Sequence, residues 1–313
     1  MSFASETKTE LAHVMPEKKC CMLAEIAGFI RVCGSIGLQG PGRFRIVITT
    51  DNAAVARHYK TLMKAYFSVD VEIEIGEGPA LHKGHTYLLS VGPEQLSEQI
   101  LRETGILMIR EGLNYITDGI YDGLIRTKCC RKAYLRGAFL GAGTMTNPEK
   151  EYDFEIKCAT EALAADLRRL IGSFVDLRAA VTKRRGMYIT YVKDAGRILD
   201  LLAIMGAHTR YFAYEDVRLT KELRNEANRR SNCDQANIDK AVAASERQIA
   251  AIRRIEERSG LDSLPPRLRE TARMRLAHPE ASIAELGEMM NPPLKKSGIN
   301  NRLRRLLELA EQE

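Results

Sequence analysis

The sequence predicts an α+β protein made of two copies of an α-β-β-α-β-β-α-type unit, continued by an all-α domain. Three observations predict it. A segment of about 100 residues recurs along the chain, each copy alternates between helical and strand periodicity, and strand signals stop after about residue 210. At 313 residues the chain is long for one compact unit and about right for two.

The repeat is legible in two blocks. Residues 19–34 read KCCMLAEIAGFIRVCG and residues 128–143 read KCCRKAYLRGAFLGAG; Lys19, Cys20, Cys21, Ala24, Gly28 and Gly34 recur as Lys128, Cys129, Cys130, Ala133, Gly137 and Gly143. Further on, Tyr87, Val91 and Gly105 recur as Tyr188, Val192 and Gly206 at a shorter offset, as expected where loops differ in length. The copies are placed at about 18–110 and 127–210.

Each copy opens with an apolar, small-residue helix, about 20–33 and 129–141. Strand-like segments follow at Phe44–Thr49 and Phe154–Cys158, then amphipathic helices at 52–66 and 160–173. Hairpin-like pairs are expected at 70–76 with 86–91 and at 178–183 with 187–192, and closing helices at 93–103 and 194–205. Glycine inside a helix costs about 1 kcal/mol relative to alanine. Gly28 and Gly137 are therefore expected to allow close inter-repeat contact between the two opening helices across a pseudo-twofold axis.

Composition narrows the function classes. Hydrophobic residues make up 45%, which excludes global disorder. No apolar run approaches the roughly 18 residues of a membrane span. The first residues lack the basic start and apolar stretch of a secretory signal, so a soluble, non-exported, cytoplasmic protein is expected. Seven cysteines without a C-x-x-C motif fit a reducing compartment, and no histidine stands near a cysteine at zinc-finger spacing; no cofactor and no metal are expected. The doublets Cys20-Cys21 and Cys129-Cys130 read as small buried residues opening the interface helices, in preference to a redox or metal site. A net charge of +6 is a mild bias toward anionic partners.

Ile26-Ala27-Gly28-Phe29-Ile30-Arg31-Val32-Cys33-Gly34 resembles the nine-residue motif of LAGLIDADG homing endonucleases, and Leu135-Arg136-Gly137-Ala138-Phe139-Leu140-Gly141-Ala142-Gly143 resembles its second copy. Together with the C-terminal region, the chain resembles the WhiA family of bacterial sporulation and cell-division regulators over nearly all its length. The endonuclease resemblance implies an acidic residue at the eighth motif position of each helix, where the pair holds Mg²⁺. Here those positions are Cys33 and Ala142, and neither a neutral thiol nor a methyl group serves a hard, strongly hydrated cation. The sixth positions, Arg31 and Leu140, restore no acid in a shifted register. A catalytically dead scaffold is expected, with no catalytic residue. Arg43 and Arg45 on a strand, and Lys183-Arg184-Arg185 at a hairpin tip, read first as solvated charge and second as phosphate contacts.

The domains are expected at 1–215 (degenerate LAGLIDADG-like), 216–236 (linker) and 237–313 (helical, DNA-binding). Asn225, Asn228 and Asn232 share one helical stripe in the linker, whose Asn-Arg-x-x-Asn-Cys pattern resembles the connector of WhiA proteins. A helix from 238 is expected to turn Ile238, Val242, Ile249, Ile252 and Ile255 inward and to end before Gly260. Leu264-Pro265-Pro266 opens another helix, expected to bury Leu268, Ala272, Met274 and Leu276. Ser282-Ile283-Ala284-Glu285 is a capping box for a helix through about Met290, and a final helix at about 297–311 buries Ile299, Leu303, Leu306 and Ala310. The arrangement predicts a helix-turn-helix at about 282–311. Residues 294–306 carry five basic groups and no acidic one. Lys295, Lys296, Ser297, Asn300, Asn301, Arg302, Arg304 and Arg305 are the candidate DNA-binding residues: amide and guanidinium groups match adenine and guanine edges, and lysines suit phosphates.

A sequence-specific, non-enzymatic transcriptional regulator is the leading reading, with double-stranded promoter DNA as its partner and the nucleoid as its location. A nucleoid-associated or adaptor protein using the repeat domain for protein contacts is the alternative, and an active nuclease or maturase is less favoured. The resemblance further implies roles in sporulation, cell division or chromosome segregation, and a WhiB-like protein or another transcription factor as partner.

Overall fold

Helix α2 (Lys19–Cys33) is apolar on nearly every side because it lies at the centre of the first of two compact bodies, Met1–Lys221 and Glu222–Glu313. The computed structural model describes residues 2–40, 42–77 and 85–311. From α2 the chain passes directly into β1 (Gly34–Leu38) and β2 (Phe44–Thr50), then α3 (Ala53–Phe67), β3 (Glu72–Glu77), β4 (His85–Val91) and α4 (Ser97–Glu103). The second copy runs α5 (Lys128–Ala142), β7 (Gly143–Met145), β8 (Phe154–Cys158), α6 (Glu161–Gly172), β9 (Ala180–Arg184), β10 (Met187–Val192) and α7 (Ala195–Met205). The two antiparallel sheets have the same strand order, β1-β2-β4-β3 and β7-β8-β10-β9. Alternation buries one face of each: along β2, Phe44, Ile46 and Ile48 point into the core. Asn52 and Thr160 cap α3 and α6 at equivalent places, their side-chain oxygens accepting from Val55 N and Leu163 N.

Three features lie outside the expected pattern. A helix α1 (Phe3–Leu11) precedes the first copy, capped by Ser2. β1 and β7 leave the opening helices without a break. A two-stranded ribbon, β5 (Leu107–Arg110) and β6 (Leu113–Ile116), connects the copies.

The α2–α5 pair is the centre of this body. An added Cβ on Gly28 would lie under 3.0 Å from the Tyr134 carbonyl oxygen, and one on Gly137 under 3.0 Å from that of Glu25. Gly141 likewise faces Val32 and Cys33, so the helices run side by side in the same direction, first turn to first turn. Backbone contact this close requires glycine at both crossings and offsets its helical cost with dispersion. An ion pair locks the same seam. Glu25, fully buried, accepts from Arg136 Nε at 2.9 Å and Nη2 at 2.5 Å, while His58 of α3 lies 2.8 Å from its other oxygen. Arg136 also donates to the Met205 carbonyl at 3.0 Å.

Helix α8 (His208–Ser259) begins in the first body and ends in the second at Gly260, whose φ of +75° suits glycine. α9 (Pro266–Ala277), α10 (Ile283–Glu288) and α11 (Lys296–Glu311) follow. The stretch 216–236 is part of continuous α8 and contains the division between the bodies. Ile252 and Ile255 join a core with Ala272, Leu286, Ile299 and Leu303. Ile238 and Val242, expected inward, are exposed at 55% and 51%: they line an open groove between α8 and the 279–284 segment, not a closed core.

Replacing Gly28 with Leu is expected to lower stability by about 1–3 kcal/mol, the usual scale for overpacking. Denaturant unfolding of the full chain checks this; an unchanged midpoint would contradict the close crossing.

Candidate nucleic-acid interface

Two places have the ancestry or the chemistry to meet nucleic acid: the C-terminal feet of α2 and α5, and the α10–α11 turn. At the feet, Cys33 and Ala142 are the last residues of their helices. The Cys33 thiol donates to the Phe29 carbonyl at 3.1 Å, and its enclosure pushes it up to about 12, so it stays neutral. Lys8 of α1 stands in electrostatic range of Cys33, and burial holds its ammonium below the usual lysine value, with Asp51 opposing. Lys157 adds positive charge nearby. The two foot positions themselves offer a thiol and a methyl group, neither of them the oxygen ligand that Mg²⁺ takes, and the Asp51 carboxylate nearby is in range of the Lys8 ammonium. Arg31, in the sixth motif position, donates to the Thr117 hydroxyl at 2.6 Å and to the Gly105 carbonyl at 3.1 Å, tying α2 to the segment that joins the copies. Lys8 was beyond sequence reasoning because α1 itself went unread; Ser2, three residues before the amide it caps, was the available signal.

Four of the five cations read first as solvated charge and second as phosphate contacts have partners within the fold. Arg45 Nε donates to Ser90 at 2.8 Å, and Arg43 lies 3.7 Å from Glu94. Lys183 sits over the Tyr188 ring, and Arg184 pairs with Glu155 at 3.2 Å next to the β9–β10 turn, where Arg185 and Gly186 have positive φ. Asn225, Asn228 and Asn232 are exposed along α8. The cysteine doublets differ from the expectation of small buried residues. Cys21 and Cys130 are buried, but Cys20 is exposed and Cys129 half-buried, since neighbouring residues of a helix point about 100° apart and only the second of each doublet faces the core.

The second body builds its turn from local chemistry. Ser282 caps α10: the Glu285 amide donates to its hydroxyl at 3.2 Å, and the Ser282 amide donates to the Glu285 carboxylate at 2.7 Å. These bonds lower the Glu285 carboxyl below its ordinary value. Arg275 of α9, 2% exposed, donates to the Ala281 carbonyl at 2.6 Å and so anchors the segment entering α10. Seven residues separate α10 from α11, and Leu294 folds back so that its amide donates to the Gly287 carbonyl at 2.8 Å. A Cβ on Gly287 would collide with the Leu294 carbonyl oxygen. Gly287 and Arg275 both position the turn, and sequence reasoning missed them; a glycine inside an otherwise apolar helix was the one available signal.

α11 is seated by Ile299, Leu303 and Leu306, all nearly inaccessible. Ser297, Asn300, Asn301, Arg304 and Arg305 lie exposed on its other side, with Lys295 and Lys296 exposed at its start. Arg304 and Arg305 share Glu308, at 3.8 Å and 2.9 Å; such exposed pairs are weak and yield to a stronger anion. Arg302 is different. Its guanidinium lies 3.6 Å from Glu270 and bonds Thr271 Oγ1 and the Arg267 carbonyl at 3.3 Å, so it belongs to the seam between α9 and α11.

Comparison with known proteins adds the lineage. A protein of Alkaliphilus metalliredigens named probable cell division protein WhiA is 42% identical over 313 residues, covering 100% of this chain and 98% of the relative. The chain belongs to the WhiA family. The WhiA N-terminal LAGLIDADG-like domain matches residues 19–107, the WhiA LAGLIDADG-like domain 131–224, and the WhiA C-terminal HTH domain 227–310. A probable cell division protein WhiA of Heliobacterium modesticaldum is 41% identical, covering 99% of this chain and 96% of that one. The crystal structure of full-length DUF199/WhiA from Thermatoga maritima is similar over 99% of this chain and 98% of that chain, with TM-score 0.61 and 28% identity. The α+β repeat followed by a helical domain with a helix-turn-helix is thus the architecture of the family.

Changing Gly287 to Val is expected to unseat Leu294 and destabilise the second body by about 1–3 kcal/mol. Hydrogen exchange should show faster opening of α10 and α11 with α2 and α5 unaffected; unchanged protection of α11 would contradict the role given to Gly287.

Proposed function

We propose that this WhiA-family chain is a sequence-specific DNA-binding transcriptional regulator acting in sporulation or in cell division and chromosome segregation, without nuclease activity. The observation that carries the reading is the division of α11 into two faces: Ile299, Leu303 and Leu306 seat it, leaving Asn300, Asn301, Arg304 and Arg305 free to enter a major groove. Lys295 and Lys296 meet backbone phosphates beside it. Promoter DNA is the partner, met in the cytoplasm at the nucleoid, with a WhiB-like protein or another transcription factor as co-regulator. Relatives in the family are named probable cell division protein WhiA, which favours that process.

The repeat domain supports the scaffold's side of this division of labour. The outward face that carries Arg45 and Ser90 on the first sheet also bears Glu72, opposite Ser90, and Glu74, whose charge opposes a phosphate backbone. On the second sheet Arg184 is neutralised by Glu155.

Arg304→Ala is expected to weaken binding to the preferred site by roughly 1–3 kcal/mol and to relax base preference. Lys296→Ala should weaken binding to all sequences about equally and reduce the salt slope by about 0.9, one phosphate contact. Affinities for specific and scrambled DNA at several salt concentrations separate the two; equal losses by both variants on both DNAs would reduce α11 to an electrostatic surface. Incubation of bound-site DNA with the chain and Mg²⁺ or Mn²⁺ is expected to leave the DNA intact. Cleavage abolished by changes near Cys33 and Ala142 would overturn the non-enzymatic reading.

A further inference from the structure

We propose that Cys20, Cys21, Cys129 and Cys130 form a tetrathiolate site for a thiophilic divalent cation of the Zn²⁺ class, clamping the two repeats at the N-terminal ends of α2 and α5. This site is independent of the DNA-binding reading. Its four sulfur atoms all lie within 4.8 Å of one another, the only group of three or more histidine, cysteine or acidic side chains so gathered among the described residues.

The juxtaposition follows from the repeat. The glycine crossings bring α2 and α5 together in parallel, so residues near the axis meet their own counterparts, and Cys20 and Cys21 recur as Cys129 and Cys130. Two doublets related by a twofold axis surround a central point with four donors, the number and approximate symmetry of a structural zinc site. Zn–S bonds of about 2.3 Å place tetrahedral thiolates about 3.8 Å apart, so closure needs shifts of about 1 Å. The first turn of a helix accommodates that: the Cys21 and Cys130 amides are held by their cap residues, the Lys18 carbonyl and the Thr127 hydroxyl, and not by bonds from a preceding helical turn.

The surroundings fit a dianionic Zn(Cys)₄ centre. The positive ends of two helix dipoles converge on it, and Lys18, Lys19 and Lys128 flank it in sequence. At α2 the Lys18 side chain makes no capping hydrogen bond, whereas at α5 the Thr127 hydroxyl lies 3.2 Å from Cys129 Sγ, placed to donate to a bound thiolate. Exposed Cys20 gives a cation an entry path, while buried Cys21 and Cys130 form its floor. On binding, four S–H groups each lose a proton to solvent and four Zn–S bonds form, with no change of oxidation state. Sequence spacing conceals the site because half its ligands come from a distant segment.

The test uses the full-length chain, reduced and freed of metal, titrated with Zn²⁺ and separately with Co²⁺. One ion per chain, the absorption of tetrahedral tetrathiolate Co²⁺, and a raised unfolding temperature with Zn²⁺ are expected. The double variant Cys20→Ser/Cys129→Ser, at the two most accessible positions, should keep the helical circular dichroism of the parent and lose all three responses. Cys233→Ser, on exposed α8, should retain them. Binding below one ion per chain, or full binding by the double variant, would overturn the site. So would a chain whose doublets form an inter-helix disulfide and take up no metal after reduction.

Discussion

Everything in the repeat domain depends on how closely α2 and α5 approach. Gly28 and Gly137 let each helix meet the backbone of the other, and the Glu25–Arg136 pair, with His58 beside it, fills the same seam with charge. A buried pair of this kind contributes little net stability, yet removing one partner strands the other at a typical cost of about 3–5 kcal/mol. It also distinguishes the copies. Glu25 corresponds in the repeat to Tyr134, and Arg136 to Ala27, so the pair cannot be satisfied by either copy facing itself. The near-symmetric body is held in one register by an asymmetric contact.

That constraint survives the loss of the ancestral chemistry. The glycines are needed for packing whether or not the helix feet hold metal, while Cys33 and Ala142 are free of any such demand. At the feet, a neutral Cys33 thiol stands in electrostatic range of Lys8, whose other charged neighbours are Asp51 and Lys157. At the other end of the same helices the repeat brings four thiols together.

Much of this architecture was legible in the sequence, for identifiable reasons. The repeat and the alternation of periods located α2, α3 and α5 to α7 to within a residue at each end, and α4 with its start four residues early, because amphipathic patterns and caps such as Asn52 and Thr160 are local signals. β1 and β7 were expected in the order of the unit but not located, since a strand leaving a helix without a turn has no punctuation. Ile238 and Val242 show the limit of periodicity: it identifies an apolar face but cannot tell whether anything covers it. Arg302 sits on the α11 sequence among base-reading candidates, yet its angular position places it beside the buried stripe, where Glu270 holds it. The cysteine cluster is a purely tertiary feature.

The central claim is that the repeat domain is a scaffold and that α11 meets DNA. Hydrogen exchange of the full chain, with and without a DNA fragment carrying a bound site, tests it most directly. The account predicts new protection across Lys295 to Glu308 and none along the outward faces of β1–β4 and β7–β10. Protection confined to those strands, with α11 unchanged, would contradict it.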